Sequence, residues 1–382
     1  MQPIQMVDTK AQYLKIKTEI DNAVMDVIES AAYIGGKAVT EFTNNLQQYL
    51  GVKHVIPCAN GTDALQIAFM ALGLQPGDEV ITPSFTYIAT VEAAAVLGIK
   101  PIFVEVSPSD FCIDAEAIEA AITPNTKAIV PVHLYGHSAN MEVILAIAKK
   151  YNLKVIEDGA QAIGATFTFA NGDTKKVTTI GDIGCLSFYP SKNLGAYGDG
   201  GAVVTNDDAL AAAIKMIASH GQSVRYYHDV IGCNSRLDGI QAAILNKKLP
   251  HLDTYNNARI ALANTYNKAF SQSNRFILPS VKDNCKHVFH QYTLIVNEVE
   301  NAAKYRNNMQ TYLAEHNIPS MIYYPVPCHK QKMFAAYNGA AYNLPVTDWL
   351  TNRVISLPMH TEMSEEQSEF IIAKVLQYVE RH

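Results

Sequence analysis

Between residues 11 and 30, Leu14, Ile16, Ile20, Val24, Val27 and Ile28 recur at three- and four-residue spacing with charged residues between them, which predicts one amphipathic helix. From Val52 to about Asn206 the pattern becomes short apolar runs alternating with helical stretches. Runs at 54–56, 79–82, 101–106, 128–134, 154–156, 185–188 and 202–205 predict strands, and stretches at 63–72, 87–97 and 141–151 predict helices. Such alternation predicts an α/β fold: a mainly parallel sheet covered on both faces, with ligands at the carboxyl ends of its strands. Residues 207–255 read as largely helical. The last third restarts as α+β, with strands at 292–296 and 320–324, a helix at 302–315, and a final helix to Val379 opened by the capping box Ser364-Glu365-Glu366-Gln367. The expected organisation is a large α/β domain over residues 1–249, N-terminal helix included, and a smaller α+β domain over 250–382.

Composition narrows the function classes. The chain has 382 residues, 48% hydrophobic and 17% charged, which suits a well-buried globular protein. A formal net charge of -6 without any Lys/Arg run gives no footprint for nucleic acid. The six cysteines form no C-x-x-C pair, so reduced thiols are expected rather than a zinc or redox motif. No apolar run reaches the roughly 18 residues of a membrane span, and residues 1–10 lack a signal-peptide core, so the expected location is the cytoplasm, away from membranes. His133 and His137 lie four apart, but in strand and loop and without acidic companions, so no metal site is expected.

Four short segments carry candidate chemistry. Val155-Ile156-Glu157-Asp158 ends an apolar strand in a carboxylate; taken alone, a helix cap with Gln161 as its capping-box partner is the favoured reading. The strand Cys185–Phe188 leads into Tyr189-Pro190-Ser191-Lys192 and then four glycines within seven residues, 195 to 201, suggesting a tight loop with close backbone approach and positive φ. Because these glycines precede a strand and follow the lysine, they match neither a dinucleotide fingerprint nor a Walker A loop. Cys58-Ala59-Asn60-Gly61-Thr62-Asp63 lies at a helix N-terminus, a potential phosphate cradle or simply a helix capped by Thr62 or Asp63. Pro83-Ser84-Phe85-Thr86-Tyr87 follows a strand with aromatics that either stack on a flat ring or pack in the core. Together the four supply what pyridoxal 5'-phosphate (PLP) requires: an amine for its aldehyde at Lys192, a carboxylate for its ring nitrogen at Asp158, a phosphate cup and a stacking platform.

The motifs C-A-N-G-T-D-A-L at 58–65, G-D-E-V-I-T-P-S-F-T-Y at 77–87, V-I-E-D-G-A-Q-A-I-G-A at 155–165, S-F-Y-P-S-K-N-L-G-A-Y-G-D-G-G at 187–201 and G-C-N-S-R-L-D at 232–238 run in an order that resembles the DegT/DnrJ/EryC1/StrS sugar aminotransferases, nearly end to end. The resemblance implies a fold-type I PLP-dependent transferase, similar to aspartate aminotransferase. It implies Lys192 as Schiff-base lysine, Asp158 at the pyridinium, Gln161 near the cofactor's phenolic oxygen, Gly61, Thr62 and Ser187 at the phosphate, and Tyr87 stacking on the ring. It also implies Asn234 reaching the phosphate from a neighbouring subunit, hence a homodimer with shared sites. The K-N-L-G-A-Y-G-D-G-G loop is similar to members that aminate 3-keto sugar nucleotides with glutamate as donor. The closest type makes a UDP-linked 3-amino-glucuronate for cell-surface polysaccharide; a dTDP-3-oxo-6-deoxyhexose is the alternative. In the first type Arg236 and an H-Y-P segment face the sugar acid; here the segment reads Tyr323-Tyr324-Pro325. An interface salt bridge is an equal reading for Arg236, and His329 is placed either near the substrate or at the surface. A PLP-dependent sugar dehydratase and a non-catalytic regulatory homologue are the more distant alternatives; in known dehydratases of this fold histidine replaces the lysine.

Overall fold

The computed structural model describes residues 2–337 and 339–381. Seven strands form the central sheet: β1 (His54–Cys58), β2 (Glu79–Pro83), β3 (Lys100–Val104), β4 (Thr126–Ile129), β5 (Lys154–Asp158), β6 (Ile183–Ser187) and β7 (Gly201–Thr205). Their order is β1-β7-β6-β5-β4-β2-β3. Only β7 runs against the rest, pairing antiparallel with both β1 and β6. The carboxyl ends of the other six therefore meet on one edge, together with the first residue of β7.

Neighbouring side chains on each strand enter opposite layers, as the two-residue strand period requires. Val80, Ala128, Ile156 and Val203 pack with the helices Gly61–Ala71, Ala89–Val96 and Asp208–Ile217. Ile81, Ile129 and Val155 pack with Met141, Ile144 and Ile147 of the helix Met141–Tyr151. Further along that second face, Ala202 and Val204 meet Phe42, Leu46 and Leu50 of the helix Gly36–Leu50 and Leu245 of the helix Gly239–Lys248. A separate core joins the helices Leu252–Phe270, Ala302–Glu315 and Glu365–Arg381 to the strands Tyr292–Val296 and Val354–Leu357, and takes in Ile4 from the N-terminus.

Several boundaries differ from expectation. The first amphipathic stretch breaks at Ile16 into Thr9–Lys15 and Lys17–Ser30. The helix Gly36–Leu50 was not foreseen, because it opens on Gly35 and Gly36, both with positive φ, and lacks a polar cap. Its fully buried Phe42 and Leu46, each worth about 1.5–3 kcal/mol, show the apolar repeat of four that does mark it. The stretch 207–255 is helical only at its two ends, Asp208–Ile217 and from Gly239 on; residues 218–238 between them are irregular and hold the hairpin Gln222–Val224 and Tyr227–His228. Residues 320–324 form no strand: one bridge, Met321 to Ser356, is all that pairs. Pro325 and Pro327, with no N–H to donate, stop a ladder there; the strand that does pair with Tyr292–Val296 is Val354–Leu357. The capping box is present, with Ser364 N–H donating to Gln367 Oε1 (3.0 Å) and Gln367 N–H to Ser364 Oγ (3.1 Å). No described helix is long and apolar enough to cross a membrane.

Next to Asp158, the fully buried Glu157 organises the turn that feeds β6. It accepts the N–H groups of Thr178, Ile180 and Gly181, each at 2.7 Å, and contacts His133 Nε2 at 2.9 Å. Glu157→Ala removes the acceptor of four donors, two of them fully buried. A loss of about 3–5 kcal/mol is expected in denaturant unfolding of the cofactor-free protein, with Glu157→Gln falling between the variant and wild type.

Candidate active site

The edge where the strands end carries a cavity of about 660 Å³ lined by Gly61, Thr62, Tyr87, Asp158, Gln161, Ser187, Lys192, Tyr323 and Tyr324, among others. Nine of the residues singled out in the sequence thus meet in one place.

At the end of β5, Asp158 is no helix cap, since no helix follows it. Its Oδ2 accepts from Thr90 Oγ1 at 2.7 Å and its Oδ1 from Ala160 N–H at 3.1 Å. Thr90 Oγ1 in turn lies 3.1 Å from Thr86 Oγ1. Gln161 is no capping partner either. It accepts Tyr135 N–H at 2.7 Å and donates to the Tyr324 hydroxyl at 3.1 Å. Tyr135 adopts φ 57, a strained setting for a bulky residue, and its N–H lies in this contact with Gln161.

Lys192 follows β6 on a loop closed by its own N–H to Tyr189 C=O (2.8 Å) and by Ala196 N–H to Phe188 C=O (2.7 Å). The four glycines of the loop serve close approach alone; none has positive φ. A Cβ on Gly195 would lie 2.3 Å from Pro190 O, and one on Gly201 would lie 2.4 Å from the Asn60 carbonyl. Burial pushes the Lys192 amine down from 10.5 to about 8, with Asp158 pulling it partly back. In the same wall, the buried imidazole of His290 is held well below its usual range by burial and by the nearby Lys192 and Arg259.

Across from the lysine, the helix Gly61–Ala71 presents its N-terminus. Its cap is Asn60, whose Oδ1 accepts Asp63 N–H at 2.8 Å, not Thr62 or Asp63. The N–H groups of Gly61 and Thr62 precede the first intrahelical bond, Ala64 N–H to Asn60 C=O. A Cβ on Gly61 would lie 2.8 Å from Ser187 Cβ, so only glycine lets the end of β6 close against this turn. A small N-terminal cup flanked by hydroxyls suits a phosphate. Tyr87, 57% exposed, stands at the mouth with its ring 6.1 Å from that of Tyr324.

Three sequence candidates lie elsewhere. Asn234 and Arg236 are exposed and do not line the cavity. His329 is neither at the cavity nor at the surface. It is 1% exposed and its Nδ1 lies 2.7 Å from Ser84 Oγ, behind the segment that leads to Tyr87. Sequence reading missed Thr90, His290 and Gln291. Thr90 could have been found as a hydroxyl in the first turn of the helix after Tyr87; His290 and Gln291, in an irregular segment, gave no local signal.

A PLP-type lysine–carboxylate site on a mainly parallel sheet defines an aminotransferase-like class of enzyme. The chain belongs to the DegT/DnrJ/EryC1/StrS aminotransferase family, whose model matches residues 14–376. It is 44% identical over 97% of its length to 99% of a UDP-2-acetamido-2-deoxy-3-oxo-D-glucuronate aminotransferase of Pseudomonas aeruginosa. It is also 44% identical to a "Pleiotropic regulatory protein" of Geobacillus stearothermophilus, over 98% of both chains. To a dTDP-3-amino-3,6-dideoxy-alpha-D-galactopyranose transaminase of Aneurinibacillus thermoaerophilus it is 43% identical, over 98% and 99% of the two chains. Among solved structures, S. venezuelae DesV in complex with a ketimine intermediate superposes with a TM-score of 0.93 at 35% identity, covering 100% of both chains.

The lysine can be checked without any cofactor. In the apoprotein, labelling of Lys192 by an amine reagent, read by mass spectrometry against pH, should show a midpoint near 8 rather than 10.5. Its folded value lies below its unfolded one, so the unfolded chain binds more protons between the two. This group's contribution to stability therefore rises with pH through that window and is least below it.

Proposed function

We propose that this chain is a PLP-dependent aminotransferase that places an amine on a keto-sugar nucleotide, with Lys192 as the cofactor's lysine. One observation carries the reading: Asp158 at the end of one strand and Lys192 just past the end of its neighbour line one cavity together with Ser187 and the helix-opening residues Gly61 and Thr62. These residues fit the cofactor. Gly61, Thr62 and Ser187 would hold its phosphate, Asp158 its ring nitrogen, Gln161 its phenolic oxygen and Tyr87 one ring face. When bound, PLP supplies an aldehyde that takes up an amine and a ring that draws electrons from the carbon bearing it.

The protein's share is orientation and proton handling. The Thr90 hydroxyl and Ala160 N–H fix both oxygens of Asp158, so that the carboxylate faces a ring cation from a set position. Lys192, with its pKa lowered to about 8, would as a free amine accept and return a proton near neutral pH. Tyr324, anchored by Gln161, and Tyr323 close the substrate side. An intact lysine and carboxylate argue against both the non-catalytic regulatory reading and the dehydratase reading.

Glutamate is the proposed donor and a 3-keto sugar nucleotide the acceptor. The 44% identity to the Pseudomonas enzyme supports the UDP-linked 3-oxo-glucuronate. The 43% identity to the Aneurinibacillus transaminase supports a dTDP-3-oxo-6-deoxyhexose as the second candidate. Among the described residues Lys192 is the one Lys or Arg in the cavity lining, which also holds Asp63, Asp158 and Asp199. A diphosphate or a carboxylate entering such a site needs cations from outside it. The exposed Arg236 and Asn234 suit delivery from the partner subunit of a homodimer. We place the junction between the large and small domains at the turn Leu249–His251.

Purified protein should show a visible cofactor band that glutamate bleaches, and Lys192→Ala should lack both band and turnover; full activity in that variant overturns the reading. A panel of UDP- and dTDP-linked keto sugars, followed by mass spectrometry, decides the acceptor. Mixing inactive Lys192→Ala with inactive Arg236→Ala should restore up to about one quarter of wild-type activity through hybrid dimers. No recovery means that Arg236 serves its own subunit or none.

A further inference from the structure

Five chain segments meet next to Lys192, and hydrogen bonds from two buried asparagines, continued through short stretches of chain, join them into a closed circuit. Asn193, the residue after the lysine, is 3% exposed. Its Nδ2 donates to Val288 C=O at 3.0 Å and to Asn256 Oδ1 at 2.8 Å. Asn256, fully buried on the helix Leu252–Phe270, donates to Ile163 C=O at 3.1 Å. Two residues before Ile163 stands Gln161, which accepts Tyr135 N–H. Tyr135 C=O accepts His290 N–H at 2.7 Å, and Gly136 C=O accepts Val288 N–H at 3.0 Å. The path returns to Asn193, having passed through Lys192's neighbour, Gln161, and the cavity-lining His290.

Two features show that this circuit is held under load. Tyr135 and Phe289, one on each of the two segments that His290 N–H and Val288 N–H join, both adopt left-handed backbone, φ 57 and φ 44. Such conformations persist only where the surroundings over-determine them. Room has also been made for the amide: a Cβ on Gly164 would lie 2.5 Å from Asn256 Nδ2. The asparagines are a poor choice for stability alone, because Asn193 Oδ1 is buried with no partner among the described residues, and an apolar pair of the same shape avoids that penalty.

We propose that Asn193 and Asn256 are positioning residues for transamination, fixing where Lys192 stands relative to Gln161. Neither touches the cavity; they act through the backbone on either side of it. Misplacement of a reacting group by about 1 Å can cost about a hundredfold in rate, so a circuit that registers five segments against one another matters to chemistry before it matters to binding. The proposal rests on Lys192 being the cofactor lysine.

The test uses the holoenzyme and the variants Asn193→Ala, Asn256→Ala and their double. Each single change should lower kcat by about ten- to a hundredfold with KM for the sugar nucleotide within about twofold. It should also shift the pH midpoint of the visible cofactor band by about half a unit or more. The double variant should be no slower than the worse single by more than about threefold, because one broken circuit cannot be broken again. Should Asn256→Ala fail to fold, Asn193→Ala and Asn193→Ser give the same rate and spectral readouts. A wild-type band midpoint with kcat within about twofold of wild type overturns the proposal, and so do single effects that multiply in the double. Borohydride reduction of wild-type protein keeps the two ideas apart. A tag absent from Lys192 ends the cofactor reading itself; a tag on Lys192 with unmoved variants ends only the positioning role.

Discussion

An amine that is to react near neutral pH must be kept from holding its proton too tightly, although a carboxylate that favours the charged form has to stand close by. This opposition between desolvation and Coulomb attraction governs the site. Burial lowers the affinity of Lys192 for its proton, and Asp158 returns part of it. The balance survives because Asp158 is occupied elsewhere, with a hydroxyl on one oxygen and an amide on the other. His290, uncharged in the same wall, adds no second cation. The sheet serves this balance by ending β5 and β6 side by side.

Much of the architecture was legible from the pattern of apolar residues. Every strand of the main sheet was anticipated, because each is a short apolar run bounded by turn residues, the inner strands buried on both faces and the edge strands β1 and β3 only in part. The strand Val354–Leu357 was not: it is four residues long and buried throughout, too short for either the strand or the helix period to show. Residues 320–324 looked like a strand for the converse reason. They are β-prone in composition, but the prolines beyond them rule out a ladder.

For the site, the sequence pointed to residues whose chemistry is unusual in kind: a lysine beside glycines, a carboxylate at a strand end. It was silent on residues whose importance lies in position. Thr90 is an ordinary helical threonine until Asp158 is placed beside it, and Asn193 and Asn256 are 63 residues apart until the fold joins them. In the other direction, His329 had the chemistry of a substrate contact and was placed by the fold behind Ser84. Side-chain type suggests what a residue is able to do; only the sheet edge decides whether it has the opportunity.

The reversal of β7 has one more effect. In an all-parallel sheet each connection has to travel the length of a helix before the next strand begins. Between β6 and β7, which are bonded neighbours running in opposite senses, the chain merely has to turn round. Lys192 therefore rides on a return bend rather than on a helical crossover, and that bend is tied to a single helix: Tyr197 N–H donates to Gln241 Oε1 and Lys248 Nζ to Gly195 C=O, both from Gly239–Lys248. A residue on such a bend keeps its place through side-chain ties to a neighbouring helix and not through a helix of its own.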